Sequence, residues 1–293
     1  MSIFQGCGTA LVTPFQSDQS LDEATTRKLV RRQIDAGIHF LVPCGTTGES
    51  PTLTRNEHLL VVEITLEEAK GKRPVLAGAG GYNTAEVIEL AREIEALGAD
   101  GILSVTPYYN KPTQEGLYHH FRAIASATKL PIILYSVAGR TGVNIEPATL
   151  RRLAQIDNIV GVKEASGNVA QMANICATVP DGFDVLSGDD AITIALAGLG
   201  GKGIISVAGN EIPAEMSQLA QLCLDGNFAA ARGLQKLWLA LMEVNFVESN
   251  PIPVKAAMAR MGLLEPVWRL PLVGPQPAAA ARIETVLTEA GLI

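Results

Sequence analysis

The sequence predicts an α/β fold, a (β/α)8 TIM barrel with a C-terminal helical extension. Three observations lead there. Eight short, apolar, β-branched runs alternate with longer amphipathic stretches, each strand–helix unit takes roughly 25–30 residues, and the strand-like runs stop before about residue 225. The runs are TALVTPF (9–15), HFLVPCG (39–45), PVLAGAG (74–80), GILSVTP (101–107), PIILYSV (131–137), IVGVKEA (159–165), FDVLSGD (183–189) and GIISVAG (203–209). Between them lie stretches such as 24–37 and 84–98. The second puts Val87, Leu90, Ala91, Ile94 and Leu97 on one face at helical spacing. Gly37 and Gly98 follow these helices as C-terminal stops. A doubly wound open sheet is the rival fold. It carries a glycine-rich phosphate turn after its first strand, where this chain has Thr13-Pro14-Phe15. Residues 226–293 read as helical over 228–246, 253–262 and 277–291. The expected organisation is a catalytic barrel over 1–225 and a helical extension over 226–293.

Bulk properties narrow the function classes. A chain of 293 residues that is 47% hydrophobic suits one large domain with a modest appendage. Mean hydropathy is high at +0.22, yet no apolar run reaches the roughly 18 residues a membrane span needs. The opening MSIFQGCGTALVTPF has no basic segment ahead of its apolar stretch and reads as a first strand, not a signal peptide. A net charge of −7 argues against nucleic acid and anionic membranes as partners. Cys7, Cys44, Cys176 and Cys223 are scattered without a CxxC pair. They suit small buried hydrophobes in a reducing cytoplasm, not disulfides or zinc.

In barrels of this kind the chemistry sits at the C-terminal ends of the strands. Lys163 stands out there, in IVGVKEA, because a parallel barrel strand is covered on both faces. Desolvation favours the neutral amine that attacks a ketone. The bland readings are a lysine that snorkels out of the strand end or pairs with Glu164. Tyr135 ends the neighbouring strand, about 4.8 Å away, so its phenol is within reach of the lysine or its adduct. It also suits a plug at the barrel mouth. Gly45-Thr46-Thr47-Gly48-Glu49 forms a glycine-flanked turn whose N–H and hydroxyl groups suit a carboxylate, although a helix cap is a comparable reading. Gly188, at the end of the seventh strand, is expected on the substrate-binding rim. The four histidines fall at a strand start or within helical stretches, so no metal centre and no cofactor is expected. Asp189 and Asp190 would repel a phosphate at the seventh strand.

The motifs GTTGES (45–50), TPYYNKPTQEGLYHHF (106–121), ILY (133–135), RTG (140–142), VGVKEASGN (160–168), SGDD (187–190) and NPIPVK (250–255) closely resemble the dihydrodipicolinate synthase family. That family lies within the pyruvate-dependent class I aldolases, and the resemblance covers nearly the whole chain. It implies condensation of pyruvate with L-aspartate 4-semialdehyde in lysine and diaminopimelate biosynthesis, by a cytoplasmic homotetramer built as a dimer of dimers. It further implies that Lys163 forms the imine and that Tyr135 relays protons with Thr46 and with Tyr109 from a neighbouring subunit. Thr47 would hold the pyruvate carboxylate, the Ile205 carbonyl would line the site, and Arg140 would bind the semialdehyde carboxylate. Ser136 and Ala138 depart from the family's usual Asn and Pro ahead of RTG. The alternative is cleavage of a 2-keto-3-deoxy sugar acid or sialic acid, for which hydroxyl and amide groups would serve better than Arg140.

The resemblance also implies an effector site for free lysine at Ser50, Pro51, Arg55, His58, Tyr82, Glu86 and Tyr108. Arg55 replaces a common histidine and Tyr82 a common asparagine, so weak lysine sensitivity is expected.

Overall fold

The computed structural model describes residues 3–293. Eight strands form one sheet: β1 (Gly6–Ala10), β2 (Phe40–Val42), β3 (Leu76–Gly78), β4 (Gly101–Val105), β5 (Ile132–Ser136), β6 (Ile159–Glu164), β7 (Asp184–Ser187) and β8 (Gly203–Ser206). Their order is β2-β1-β8-β7-β6-β5-β4-β3, and every pairing is parallel. A parallel bridge from Leu41 to Val75 joins β2 to the start of β3, so the sheet comes almost full circle. The helices are α1 (Glu23–Asp35), α2 (Arg55–Ala69), α3 (Thr84–Leu97), α4 (Gln114–Ala125), α5 (Ala138–Thr141), α6 (Pro147–Leu153), α7 (Val169–Thr178), α8 (Thr193–Gly198), α9 (Pro213–Leu224), α10 (Phe228–Val244), α11 (Ile252–Arg260) and α12 (Pro277–Glu289). This is the (β/α)8 barrel that the alternating sequence pattern predicts.

Local chemistry sets the helix starts. Asp22, Thr113 and Asn168 each accept an N–H from the first turn of α1, α4 and α7. Thr54 and Glu57 form a reciprocal capping box at α2. Alternation within each strand then divides the core in two. On β5, Ile133 and Tyr135 face the barrel interior with Phe40, Val42, Leu76, Leu103, Leu186 and Ile205. Ile132 and Leu134 face outward against the helices.

The first strand corrects the expectation of 9–15. It occupies Gly6–Ala10, and the chain then leaves the ladder. Val12 N–H donates to the Asn210 side chain at 3.1 Å, the Thr13 hydroxyl donates to the Gly48 carbonyl at 2.7 Å, and Phe15 bridges to Leu21. Apolar TALVTPF therefore reads as strand while side-chain partners take its backbone elsewhere.

The last helices share the barrel's apolar packing. Leu241, Met242, Ala257, Ile283 and Leu287 lie in one cluster with Cys7, Leu11, Val30 and Ile38, and Val254 and Met258 pack on Val12, Leu29 and Val207. Among the described residues no helix is long and apolar enough to cross a membrane.

Candidate active site

Register places the two central groups side by side. Tyr135 of β5 pairs with Lys163 of β6, which in turn pairs with Leu186 of β7. Lys163 is 5% exposed, and its Nζ lies 4.3 Å from the centre of the Tyr135 ring. That geometry is a cation–π contact. Among the described residues the amine has no ion pair or hydrogen bond. Glu164 points the opposite way and accepts from Ser166 N–H and Gln171 Nε2, so it does not pair with Lys163. Burial raises the Glu164 carboxyl pKa, opposed by these hydrogen bonds. An amine free of any ion pair keeps its nitrogen available for attack on a carbonyl. Gly188 leaves the space the lysine needs: a Cβ there would stand 3.1 Å from Lys163 Cε and 2.6 Å from Ala165 Cβ.

The loop after β2 is a tight turn. Gly48 N–H bonds to Gly45 O and Glu49 N–H to Thr46 O, each at 3.1 Å. Cys44 and Glu49 take left-handed φ values of 56° and 52°. Among the described residues, the Thr46 and Thr47 N–H groups have no acceptor, and adjacent free N–H groups suit a carboxylate. Thr47 is buried and its Oγ1 accepts from Asn250 Nδ2 at 2.9 Å.

Beside these groups lies a cavity of about 460 Å³, lined by Gly45, Thr46, Tyr108, Tyr135, Val137 and Arg140 among others, with Lys163 behind the Tyr135 ring and not in the lining. Arg140, on α5, donates from Nη2 to the Asn250 carbonyl at 3.0 Å. The structure thus brings Thr46, Tyr135 and Arg140 to one cavity, with Lys163 against the Tyr135 ring. Thr47, Gly188 and Ile205 do not line it, and Ile205 is buried inside the barrel. Tyr109 stands apart: it is 91% exposed, with φ 70°, and turns away from its own chain's cavity.

Five of the residues expected at the effector site, Ser50, Pro51, Arg55, His58 and Tyr108, line the same cavity; Tyr82 and Glu86 do not. Tyr82 packs edge-on against Tyr108, centroids 5.1 Å apart. Glu86 accepts from Asn83. Arg55 Nε bonds Glu93 at 2.6 Å, so its charge is met by a carboxylate. His58 bonds the Gly78 carbonyl at 2.8 Å, and burial lowers its pKa, which keeps it neutral at pH 7.

Sequence reasoning left three residues without roles. Glu49 and Lys255 form a fully buried ion pair at 2.5 Å beneath the turn, and Asn250 links Thr47 to Arg140. A lysine in apolar IPVKAAMA carries the same signal that singled out Lys163. Asp190 departs from the phosphate-repelling acid that its place at the strand end suggests. It is buried, and it accepts from Ser206 Oγ at 2.5 Å and from the N–H groups of Val207 and Ala208. It therefore fastens the end of β8, and burial raises its pKa.

Known proteins match this arrangement over its full length. The model of the dihydrodipicolinate synthetase family matches residues 3–290. A 4-hydroxy-tetrahydrodipicolinate synthase of Koribacter versatilis is 53% identical over 290 residues, covering 99% of this chain and 97% of its own. The crystal structure of a dihydrodipicolinate synthase from Thermotoga maritima is 44% identical, with a TM-score of 0.97 and full coverage of both chains at 100%. A dihydrodipicolinate synthase from Acinetobacter baumannii, crystallised with pyruvate, is 42% identical with a TM-score of 0.97 and covers 99% of each chain. With 53% identity at full length and a family match across the barrel and its extension, the chain belongs to the dihydrodipicolinate synthetase family.

Proposed function

We propose that Lys163 is the amine through which this chain condenses pyruvate with L-aspartate 4-semialdehyde to 4-hydroxy-tetrahydrodipicolinate, a step of lysine and diaminopimelate biosynthesis. The observation that carries the role is a buried lysine, held against a tyrosine ring with no carboxylate partner among the described residues. Lys163 Nζ attacks C2 of pyruvate and water leaves, giving an imine. Protonated, the imine is an electron sink, so a methyl proton departs and an enamine forms. The enamine carbon attacks the aldehyde, and the product cyclises off the lysine. Tyr135 and Thr46, which share the cavity wall, move the protons together with Tyr109 of a neighbouring copy. Thr47 and the turn's free N–H groups hold the pyruvate carboxylate, with the Ile205 carbonyl and Gly188 completing that side. Arg140 offers a fork of donors to the semialdehyde carboxylate, which suits an acid better than a polyol. The residues of the extension that reach the turn and Arg140 make 1–225 and 226–293 one catalytic unit.

Incubation with pyruvate and borohydride, followed by intact mass and peptide mapping, tests this reading. One lactyl-sized increment on the peptide holding Lys163 is expected. A stable adduct on Lys111, Lys202 or Lys255 instead would overturn it.

We read the chain as a cytoplasmic homotetramer. The free thiols of Cys7, Cys44, Cys176 and Cys223 suit a reducing compartment, and the exposed Tyr109 suits a site shared between copies.

Weak feedback by free lysine follows from the cavity at Ser50, His58 and Tyr108. Because Glu93 offsets Arg55, charge repulsion is a minor part of the effect. The rest is Tyr82, which lies outside the cavity lining and acts there through the edge-on contact of its ring with Tyr108, where an amide would instead offer a donor to a carboxylate. At this half-exposed position one lost polar contact costs about 0.5–1.5 kcal/mol, or roughly 2- to 12-fold in affinity. Initial rates should stay near the lysine-free value through millimolar lysine, and half-inhibition below that would show a working pocket.

A further inference from the structure

Asn250 lies between α10 and α11, is 5% exposed, and meets both segments assigned to substrate carboxylates. Its Nδ2 donates to Thr47 Oγ1 at 2.9 Å, and its backbone carbonyl accepts from Arg140 Nη2 at 3.0 Å. Thr47 follows β2 and Arg140 follows β5, so two distant barrel loops converge on one residue of the extension. Five residues on, Lys255 grips Glu49 of the same turn, which docks this segment at a second point.

We propose that Asn250 is a positioning residue for both substrates: it sets the direction of the Thr47 hydroxyl and anchors Arg140, holding the two carboxylate sites in fixed relation. The inference rests on the roles given to Thr47 and Arg140 above. A threonine hydroxyl has one proton and two lone pairs. Because Asn250 occupies a lone pair, the hydroxyl proton stays uncommitted, and among the described residues it donates to no protein group. A carboxylate seated on the Thr46 and Thr47 N–H groups receives it. An acceptor at position 250 would instead draw that proton backwards, away from the substrate.

The experiment uses the full chain with Asn250→Asp, Asn250→Ala, Thr47→Val and the double variant Thr47→Val/Asn250→Ala. Pyruvate is followed alone by the rate of borohydride trapping, and both substrates by steady-state kinetics. Asn250→Asp keeps the shape but can only accept, so the pyruvate KM should rise about tenfold or more, with kcat changed less than about threefold. Asn250→Ala should raise the pyruvate KM by a smaller factor and leave the semialdehyde KM within about twofold, because the backbone carbonyl that receives Arg140 is kept. Added to Thr47→Val, the same change should leave the pyruvate KM where Thr47→Val alone puts it, because the hydroxyl it orients is gone. A purely structural role would lower the melting temperature and make the two effects multiply. If Thr47→Val alone leaves the pyruvate KM unchanged, the carboxylate reading of Thr47 fails. If Thr47→Val raises it while both Asn250 variants stay within twofold of the parent, or the effects multiply, the positioning role is overturned. Should Asn250→Asp not fold, Asn250→Ala and the double variant decide alone.

Discussion

Lys255→Met is expected to lower stability by about 3–5 kcal/mol, because it strands the Glu49 carboxylate in a dry interior. Both side chains of the pair are 0% exposed. Lys255 Nζ also donates to the Thr13 carbonyl at 3.1 Å and lies 4.5 Å from the centre of the Phe15 ring. Without Lys255, Glu49 keeps, among the described residues, the Arg269 N–H at 3.3 Å and a longer-range attraction to the Arg269 guanidinium, whose hydrogen bonds go to Glu57. For a chain of this size the loss corresponds to a melting temperature lower by roughly 5–8 °C. The double variant Glu49→Gln/Lys255→Met should recover a large part, since two neutral partners carry no unpaired charge. Thermal denaturation of the three proteins checks this, and a single variant melting within about 2 °C of the parent would show that the pair is not structural. The site should feel the loss as well. Glu49 holds a left-handed φ of 52° at the end of the Thr46-Thr47 turn, a strained conformation that persists only while its surroundings impose it. The single variant should therefore also raise the pyruvate KM.

How much of this was legible in the sequence depends on the range of each interaction. The barrel followed from strand and helix periods, which are local, and Lys163 followed from a charge inside an apolar strand, where desolvation makes any lysine conspicuous. The same signal sat in IPVKAAMA, but its meaning required Glu49, 206 positions away. Asn250 looks like any polar residue before a proline, and only the fold puts its amide on Thr47 and its carbonyl on Arg140. Asp190 was misread because sequence shows a charge but not its partners; three donors turn it inward. The first strand moved for the same reason, since Asn210, 198 positions from Val12, takes the N–H that would have extended the ladder. The role of Tyr109 was available only through family resemblance. Nothing in YYN itself says that the second tyrosine leaves its own chain's cavity.

That exposed tyrosine gives the other large effect expected. Lys163→Ala removes the covalent nucleophile, and activity should fall by on the order of 10⁴-fold or more, with no borohydride trapping. Tyr109→Phe keeps the ring but removes the phenol from the proton relay, and should cost about 10²-fold or more. If each site draws Tyr109 from a neighbouring copy, the two damaged chains repair one another. In a hybrid dimer, the site holding Lys163 receives an intact Tyr109 from the other subunit, while the second site carries both defects. Random exchange of equal amounts makes half the dimers hybrid, each with one of its two sites whole, so about a quarter of the parent activity should return. The arrangement of Tyr109 supports this outcome. A left-handed, non-glycine backbone with its ring 91% exposed is strained, and that strain serves no packing within its own chain. Activity of the mixture is followed against time after mixing, with subunit exchange confirmed by native mass spectrometry of differently tagged chains. A mixture that exchanges fully and yet stays at the mean of its two parents would place every working group of the site within a single chain.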